Sequence, residues 1–521
     1  MTANFLKIAL SVAVMWVTLL PVAAPAAGLE LVSRSLAGTP ANGPSVDPAV
    51  SADGRYVAFT SDASNLVDND PGSWYWKTDP DVFILDRENG TLENASRSLN
   101  SAGYWFLKTV CQKPTLDGSG ALAAFECFSG YHLAHRMQFD IYLYDRQNAG
   151  MFIVTLGLTG KANGGSRDPA LSADGSALAF TSMASNLLGE DRDAVADIYL
   201  FDRNAGTLEL VSVNASGLKG NGASSTAAVS ADGRLVAFAS AADNLVAGDI
   251  NGAPDIFVRD RQTGTVQRHT APNGAACGEP AISGDGTRLA FSALGTDGMR
   301  RIYLVTNGDA PQFVANGNAP ALSADGRFLA FMAPLTGTPA DTTGVFRQDL
   351  ASGRSELVSL TPQGTTGSGT VGAPTLSAHG AEVVFASTAA DLIAGDGNDA
   401  SDVFLAEAIA DTTPPVVNLE LSSRLLWPPN KKLVPIQVNG LATDETELAG
   451  VEITLSDEYG SMIGQVVPGF GSTIWLEAWR DGNDMDGRVY TVTAVATDTA
   501  GNRSEQSATV VVPHDMRDKK K

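Results

Sequence analysis

Apolar and polar residues alternate in short runs along most of this chain, and glycine-centred turns interrupt them. Seven of these interruptions are near copies: PAVSADGRYVAF from Pro48, PTLDGSGALAAF from Pro114, PALSADGSALAF from Pro169, AAVSADGRLVAF from Ala227, PAISGDGTRLAF from Pro280, PALSADGRFLAF from Pro320 and PTLSAHGAEVVF from Pro374. In the first copy Pro48 to Ser51 alternates as a strand. Ala52-Asp53-Gly54 reads as a three-residue hairpin loop with Gly54 at its left-handed position, and Tyr56 to Thr60 returns as a second strand. DVFILDR from Asp81 alternates as a third strand, and GTLENASR from Gly90 gives a turn and a fourth. The third strand recurs as DIYLYDR (Asp140), DIYLFDR (Asp197), DIFVRDR (Asp255) and DVFLAEA (Asp402), with weaker versions at Arg301 and Gly344.

The turn glycines, Gly54, Gly120, Gly175, Gly233, Gly286, Gly326 and Gly380, lie 40 to 66 residues apart. Four short antiparallel strands at that period predict the blade of a β-propeller. The opening proline suits an inner edge strand, where a missing N–H costs little. The seventh copy runs into a proline-rich segment before any fourth strand appears. LELVSRS from Leu29, however, nearly duplicates LELVSV from Leu208. The N-terminal strand is therefore expected to complete the last blade and remove its open edge. The prediction is an all-β chain with a seven-bladed propeller over residues 27–410.

The P-x-[apolar]-S-x-D-G hairpin, the D-[IV]-[FY] strand and the following turn resemble the repeat of the TolB-like, WD-repeat-like propeller family. The resemblance covers most of the chain and implies a fold, not an activity. TolB itself carries an α/β domain ahead of its propeller. This chain passes from its leader straight to Leu29, so a role in the Tol system does not carry over.

Residues 411–415 (Asp-Thr-Thr-Pro-Pro) read as a linker. Six or seven short strands follow within 416–513, the spacing of an Ig-like β-sandwich. The segment Leu426-Trp427-Pro428-Pro429-Asn430-Lys431-Lys432 resembles one found in bacterial Ig-like surface domains, and Tyr490 resembles a tyrosine corner. Residues 514–521 read as a disordered basic tail.

Residues 1–26 have the form of a secretory signal: Lys7, an apolar run from Ile8 to Leu20, then Ala24-Pro25-Ala26. The mature chain is expected to be extracytoplasmic, periplasmic or secreted, with no membrane span after cleavage. A net charge of −23 disfavours nucleic acid. Three cysteines in 521 residues exclude a disulfide framework. Cys111 and Cys127 occupy the places of Ser45 and Ser61 in the first copy. Pairing Ser51 with Arg55 across the turn sets 45 opposite 61, so the two thiols are expected to face each other as a disulfide. A regular ladder puts them at a hydrogen-bonded site, where bridging is harder. Cys277 matches the Cys111 position of another blade and is left over.

Three loops between second and third strands share D-x-[DN]-x3-D: Asp191, Asp193 and Asp197; Asp249, Asn251 and Asp255; Asp396, Asn398 and Asp402. The first copy has Asp68, Asp70, Asp79 and Asp81 in a longer loop. Alternating oxygen ligands suit Ca²⁺. The same residues also suit turn capping and strand anchoring. Trp74, Tyr75 and Trp76, with Tyr104, Trp105 and Phe106, offer an aromatic platform for a sugar or peptide, or packing over a blade end. Neither G-x-S-x-G nor H-E-x-x-H occurs, and the five histidines are scattered. The expected function is a non-catalytic binding or scaffold protein whose propeller loops take a protein or glycan partner, with structural calcium. Some TolB-like propellers are sugar lyases, so the alternative is a polysaccharide-active lyase or hydrolase.

Overall fold

The computed structural model describes residues 28–68, 80–97, 107–131, 138–158, 160–335, 342–407, 413–444, 448–498 and 502–515. The chain divides into two compact units, Met1–Ile409 and Ala410–Lys521. In the first, the described residues form seven four-stranded antiparallel sheets and one short hairpin, Leu156–Gly157 with Gly160–Lys161. Blade one is typical, with Ser45–Val50 innermost, then Tyr56–Ser61, Asp81–Asp86 and Thr91–Asn94. Blade seven takes Thr375–Leu376, Glu382–Ser387 and Asp402–Glu407 from the end of the propeller, and Leu29–Leu31 from its beginning.

Each motif residue has a structural task. The hairpin loop holds four residues, not three, because Ser51 N–H bonds the Tyr56 carbonyl at 2.9 Å. Ser51 Oγ donates to Asp53 at 2.6 Å and accepts from Tyr56 N–H at 2.9 Å, which fixes this wider turn. Gly120 has φ +66°, and a Cβ there would lie 2.3 Å from the Tyr56 ring of the neighbouring blade. The repeated aromatics stack across the second and third strands, as in Phe59–Phe83 at 5.8 Å and Phe385–Phe404 at 5.9 Å. The arginine that ends the third strand reaches back to its own turn and across to the preceding blade. Arg87, for example, bonds Gly54 O at 2.9 Å and pairs with Glu30 and Glu407.

The seven turns join one another at the axis. Backbone N–H groups of Ala52, Gly118, Asp174, Ala231, Gly284, Asp325 and Ala378 donate in turn to the carbonyls of Gly118, Ala173, Ala231, Gly284, Ala324, Ala378 and Ala52, at 2.7–3.3 Å. The circuit closes on its starting residue, so the seven blades form a complete ring.

The outer edge is held by a buried aspartate at the head of the third strand. Ser96, Thr155 and Ser212 donate hydroxyls to Asp81, Asp140 and Asp197 and accept the next backbone N–H. In blade seven the same lock is made by Ser33, which donates to Asp402 at 2.6 Å and accepts from Val403 N–H at 3.0 Å.

Each inner strand of blades one to six carries a bulge near the first motif residue, a proline except for Ala227 in blade four. The bulge residue is left-handed: Asp47, Lys113, Asp168, Thr226, Glu279 and Ala319 have φ of 48–54°. The extra residue cancels the extra turn residue, so Ser45 does face Ser61, and Cys111 faces Cys127. It also changes the parity of the ladder. Cys111 N–H goes to Pro80 O at 2.9 Å, and the two Cα atoms are 4.2 Å apart, the spacing of a non-hydrogen-bonded pair. The disulfide stands where blades one, three and four have a Ser–Ser hydrogen bond at 2.9 Å. Cys277 faces Ala293, buried and free, and burial pushes its thiol up to about 12.

The second unit has two antiparallel sheets. One joins Val416–Leu421, Leu433–Thr443 and Ser472–Glu477; the other joins Gln465–Val467, Leu448–Asp457, Arg488–Asp498 and Arg503–Val512. Leu419, Ile436 and Leu476 from the first pack with Ile453, Tyr490, Val492 and Val510 from the second, as a sandwich. The fully buried Tyr490 donates its hydroxyl to Glu477 O at 2.9 Å.

Two outcomes follow from this architecture. Ser33→Ala should cost about 1–3 kcal/mol in urea unfolding, as should Ser212→Ala in an unbroken blade, since each removes a hydrogen bond to a buried aspartate and leaves a buried backbone N–H without its acceptor. A neutral Ser33→Ala beside a costly Ser212→Ala would mean the first strand does not close the ring. Mass mapping of oxidised protein should show a Cys111–Cys127 link, with Cys277 unreactive to alkylation until unfolding. A bridge to Cys277 would contradict this register.

Candidate functional site

The acidic loops lie at the lock just described. In blade three Asp191 and Asp197 are fully buried and Asp193 is exposed, with one oxygen of each within 4.8 Å of the others. A lysine ammonium sits among them. Lys219 Nζ lies 2.9 Å from Asp193 and Asp197 and 3.5 Å from Asp191. Burial opposes its charge, but hydrogen bonds to Asp193 and Asp197 outweigh this and hold its pKa above the ordinary lysine value. Tyr199 also donates to Asp191 at 2.5 Å.

Blade four reaches the same balance by another route. Arg268 bonds Asp249 at 2.8 Å and Asp255 at 2.6 Å, while Asn251 Nδ2 donates to Asp255. Blade seven differs. Asn398 Nδ2 donates to Asp402 at 2.7 Å and to Ala41 O at 2.7 Å. Among the described residues no lysine or arginine pairs with Asp396 or Asp402. Burial raises the Asp402 carboxyl to about 6, and the Asp396 charge adds to this. The Asp396 carboxyl accepts the Asn398 backbone N–H and shares a hydrogen bond with Asp402. In blade one Asp81 sits in its lock and Asp68 is also described; Asp70 and Asp79 lie outside the described residues. So do the aromatics Trp74, Tyr75, Trp76, Tyr104, Trp105 and Phe106.

A second candidate region is one the sequence reading missed. Four of the six bulge residues, Asp47, Lys113, Asp168 and Thr226, border an open recess of about 610 Å³ on the side of the inner strands away from the turns, with Thr370 and Gly372 from blade seven. Lys113 pairs with Asp168, whose N–H in turn donates to the fully buried Glu126. Asp47 is exposed to the recess, but the protein around it partly desolvates its carboxyl and lifts it above the usual range, against the pull of Lys113 and with the help of Asp168. The buried hydroxyl of Thr226 has no partner. The signal was present in the column just before the proline, which reads Asp, Lys, Asp, Thr, Glu, Ala, Ala down the seven copies.

No protein-family model matches the chain, and no curated protein matches it. Solved structures do. Oligogalacturonate lyase from Vibrio parahaemolyticus shares 12% identity at a TM-score of 0.46, over 73% of this chain and 97% of that one. TolB from Acinetobacter baumannii shares 19% at 0.36, over 68% and 81%. The β-propeller domain of the Trilobed protease from Pyrococcus furiosus shares 11% at 0.38, over 79% and 99%. The sheet order and the circuit of turns described above make the first unit a β-propeller. Identities this low concern the fold alone, so the activities in those names stay with those proteins.

The lysine in blade three gives a direct measurement. Lys219→Met leaves Asp191 and Asp197 buried without their counter-charge and should cost roughly 3 kcal/mol in urea unfolding. Because its pKa is raised, the Lys219 contribution is complete at neutral pH and is lost only as pH rises through the folded-state value. A Lys219→Met variant as stable as the wild type would show that the ammonium does not balance these carboxylates.

Proposed function

We propose that this is an extracytoplasmic binding protein that takes a polar segment of a protein or glycan partner at the mouth of the propeller axis. The observation that carries this reading is Thr226. It is a β-branched residue held at φ 48° in the wall of the recess, and its buried hydroxyl has no hydrogen-bond partner. β-Branched residues rarely adopt that conformation, and the strain is on the order of 1–3 kcal/mol. A polar group held at such a cost, beside Asp47, Lys113 and Asp168, suits a ligand that brings its own donors and acceptors. The extracytoplasmic location is supported by the Cys111–Cys127 bridge and by the leader-like residues 1–26. The acidic balance of the chain favours partners with basic groups.

The test uses the full chain as bait on an envelope fraction of the native cells, beside an Asp47→Ala/Lys113→Ala variant. The wild type should retain a partner that the variant loses by about tenfold or more. Equal retention by both baits would remove the recess from the binding surface. Turnover of a glycan panel by the purified protein alone would replace this reading with the enzymatic one.

A further inference from the structure

Neighbouring blades are tied near the turns by an arginine. Arg87, Arg146, Arg203 and Arg261 hold one place in the repeat, where each donates its backbone N–H to the residue after a turn glycine: Arg55, Ala121, Ser176 and Arg234. Their guanidinium groups bond the carbonyls of Gly54, Gly120, Gly175 and Gly233 at 2.7–2.9 Å. Arg146 and Arg261 also reach Glu93 and Glu209 on the outer strand of the preceding blade. In blade six Leu350 holds that place, and Arg288 from blade five serves the Gly326 carbonyl instead, at 2.7 Å. In blade seven the place falls to residue 408, outside the described residues.

Blade five departs from both arrangements. Asn307 N–H bonds the Thr287 carbonyl at 2.7 Å, so Asn307 holds the arginine's place. Asn307 and Gly308 have φ of 50° and 78°, as a tight hairpin turn requires, and asparagine suits that conformation better than arginine does. Leu235 stands two residues after its turn glycine, as Arg288 does, and closes the other route. Neither route therefore brings a guanidinium to the Gly286 carbonyl. A cavity of about 290 Å³ lies there, between blades four and five. Leu235, Val258, Leu289 and Val305 form its apolar wall, and Asp260, Gln267, Asp285 and Gly286 bring oxygens. Gln267 faces Val258 as Glu93 faces Ile84, so it stands at the glutamate's place. Asp260 is paired with Arg234, just as Asp86 is paired with Arg55 at the joint that seats Arg146.

We propose that this cavity docks an arginine side chain of a protein partner, whose guanidinium takes the place that the sister joints fill from within. The apolar wall suits the methylene stem, and the planar head meets the Gly286 carbonyl and the Gln267 amide oxygen. The Asp260 and Asp285 carboxylates add charge complementarity on a chain of net charge −23. Lysine fits less well, because a point charge does not span two acceptors as the planar fork does. The site is separate from the recess at the mouth of the axis, and neither depends on the other.

The probe is N-acetyl-arginine methylamide, titrated into the full chain by calorimetry. It should bind saturably at millimolar concentration. Its citrulline counterpart, alike in shape but uncharged, should bind at least about tenfold more weakly. Gln267→Glu, at an exposed position, copies Glu93 and Glu209 and should tighten binding about tenfold. Leu235→Arg supplies a guanidinium by the Arg288 route and should abolish binding; if that variant does not fold, Gln267→Glu decides alone. A wild-type titration without saturable heat overturns the proposal. So does equal binding of citrulline, or an affinity that Gln267→Glu leaves unchanged, because the arginine then binds elsewhere on this acidic surface.

Discussion

Everything else in the propeller depends on the circuit of backbone hydrogen bonds that joins the seven hairpin turns. Each of these bonds contributes only about 1 kcal/mol net. Their force is geometric: seven turns must meet at one height with their amides facing one way round. The residue after the motif serine must then be small. A Cβ on Gly118 would lie 2.8 Å from the Ala173 carbonyl, and one on Gly284 would lie 2.9 Å from that of Ala324. The near-identity of the copies is thus a condition of closure. Closure in turn makes the two ends of the propeller segment meet, because an incomplete last sheet would leave an open edge.

The outer edge has a different problem. In five blades a buried aspartate, Asp81, Asp140, Asp197, Asp255 or Asp402, anchors the third strand, and its charge must be balanced inside the protein. Ser and Thr hydroxyls supply hydrogen bonds but no positive charge. Lys219 and Arg268 show that two unrelated positions can supply that charge, so long as the side chain reaches the lock. Blade seven has a chain break at that point. Its outer strand comes from residues 369 positions away in sequence, and the connection carries Pro40. Closing the ring and balancing the lock therefore meet at one place.

These two requirements explain what could be read from the sequence. The turn glycine, Gly54 in the first copy, recurs in all seven blades and the paired aromatics in nearly all, so repetition exposes them. Leu29 to Ser33 could be matched to Leu208 to Ser212 because both fill one role. The Cys111–Cys127 register emerged from two compensating shifts: a turn longer by one residue and a bulge that the alternation does not reveal. The bulge was hidden because its residues vary. Asp47, Lys113, Asp168, Thr226, Glu279 and Ala319 share a conformation and no chemistry. Lys219 was hidden for a different reason. It lies more than twenty residues from the aspartates it balances, and no local spacing links them.

The bulge is also where the fold leaves room for function. Its residue stands outside the strand ladder, so its side chain can change without disturbing register. Positions that the ring needs have converged on serine, glycine and phenylalanine. Positions at the mouth have diverged to acid, base, hydroxyl and methyl. Charge at the mouth is partly spent on structure, since Lys113 pairs with Asp168. Backbone strain at one end of the axis, against strict economy at the other, is the physical ground on which the proposed binding surface is placed at the mouth.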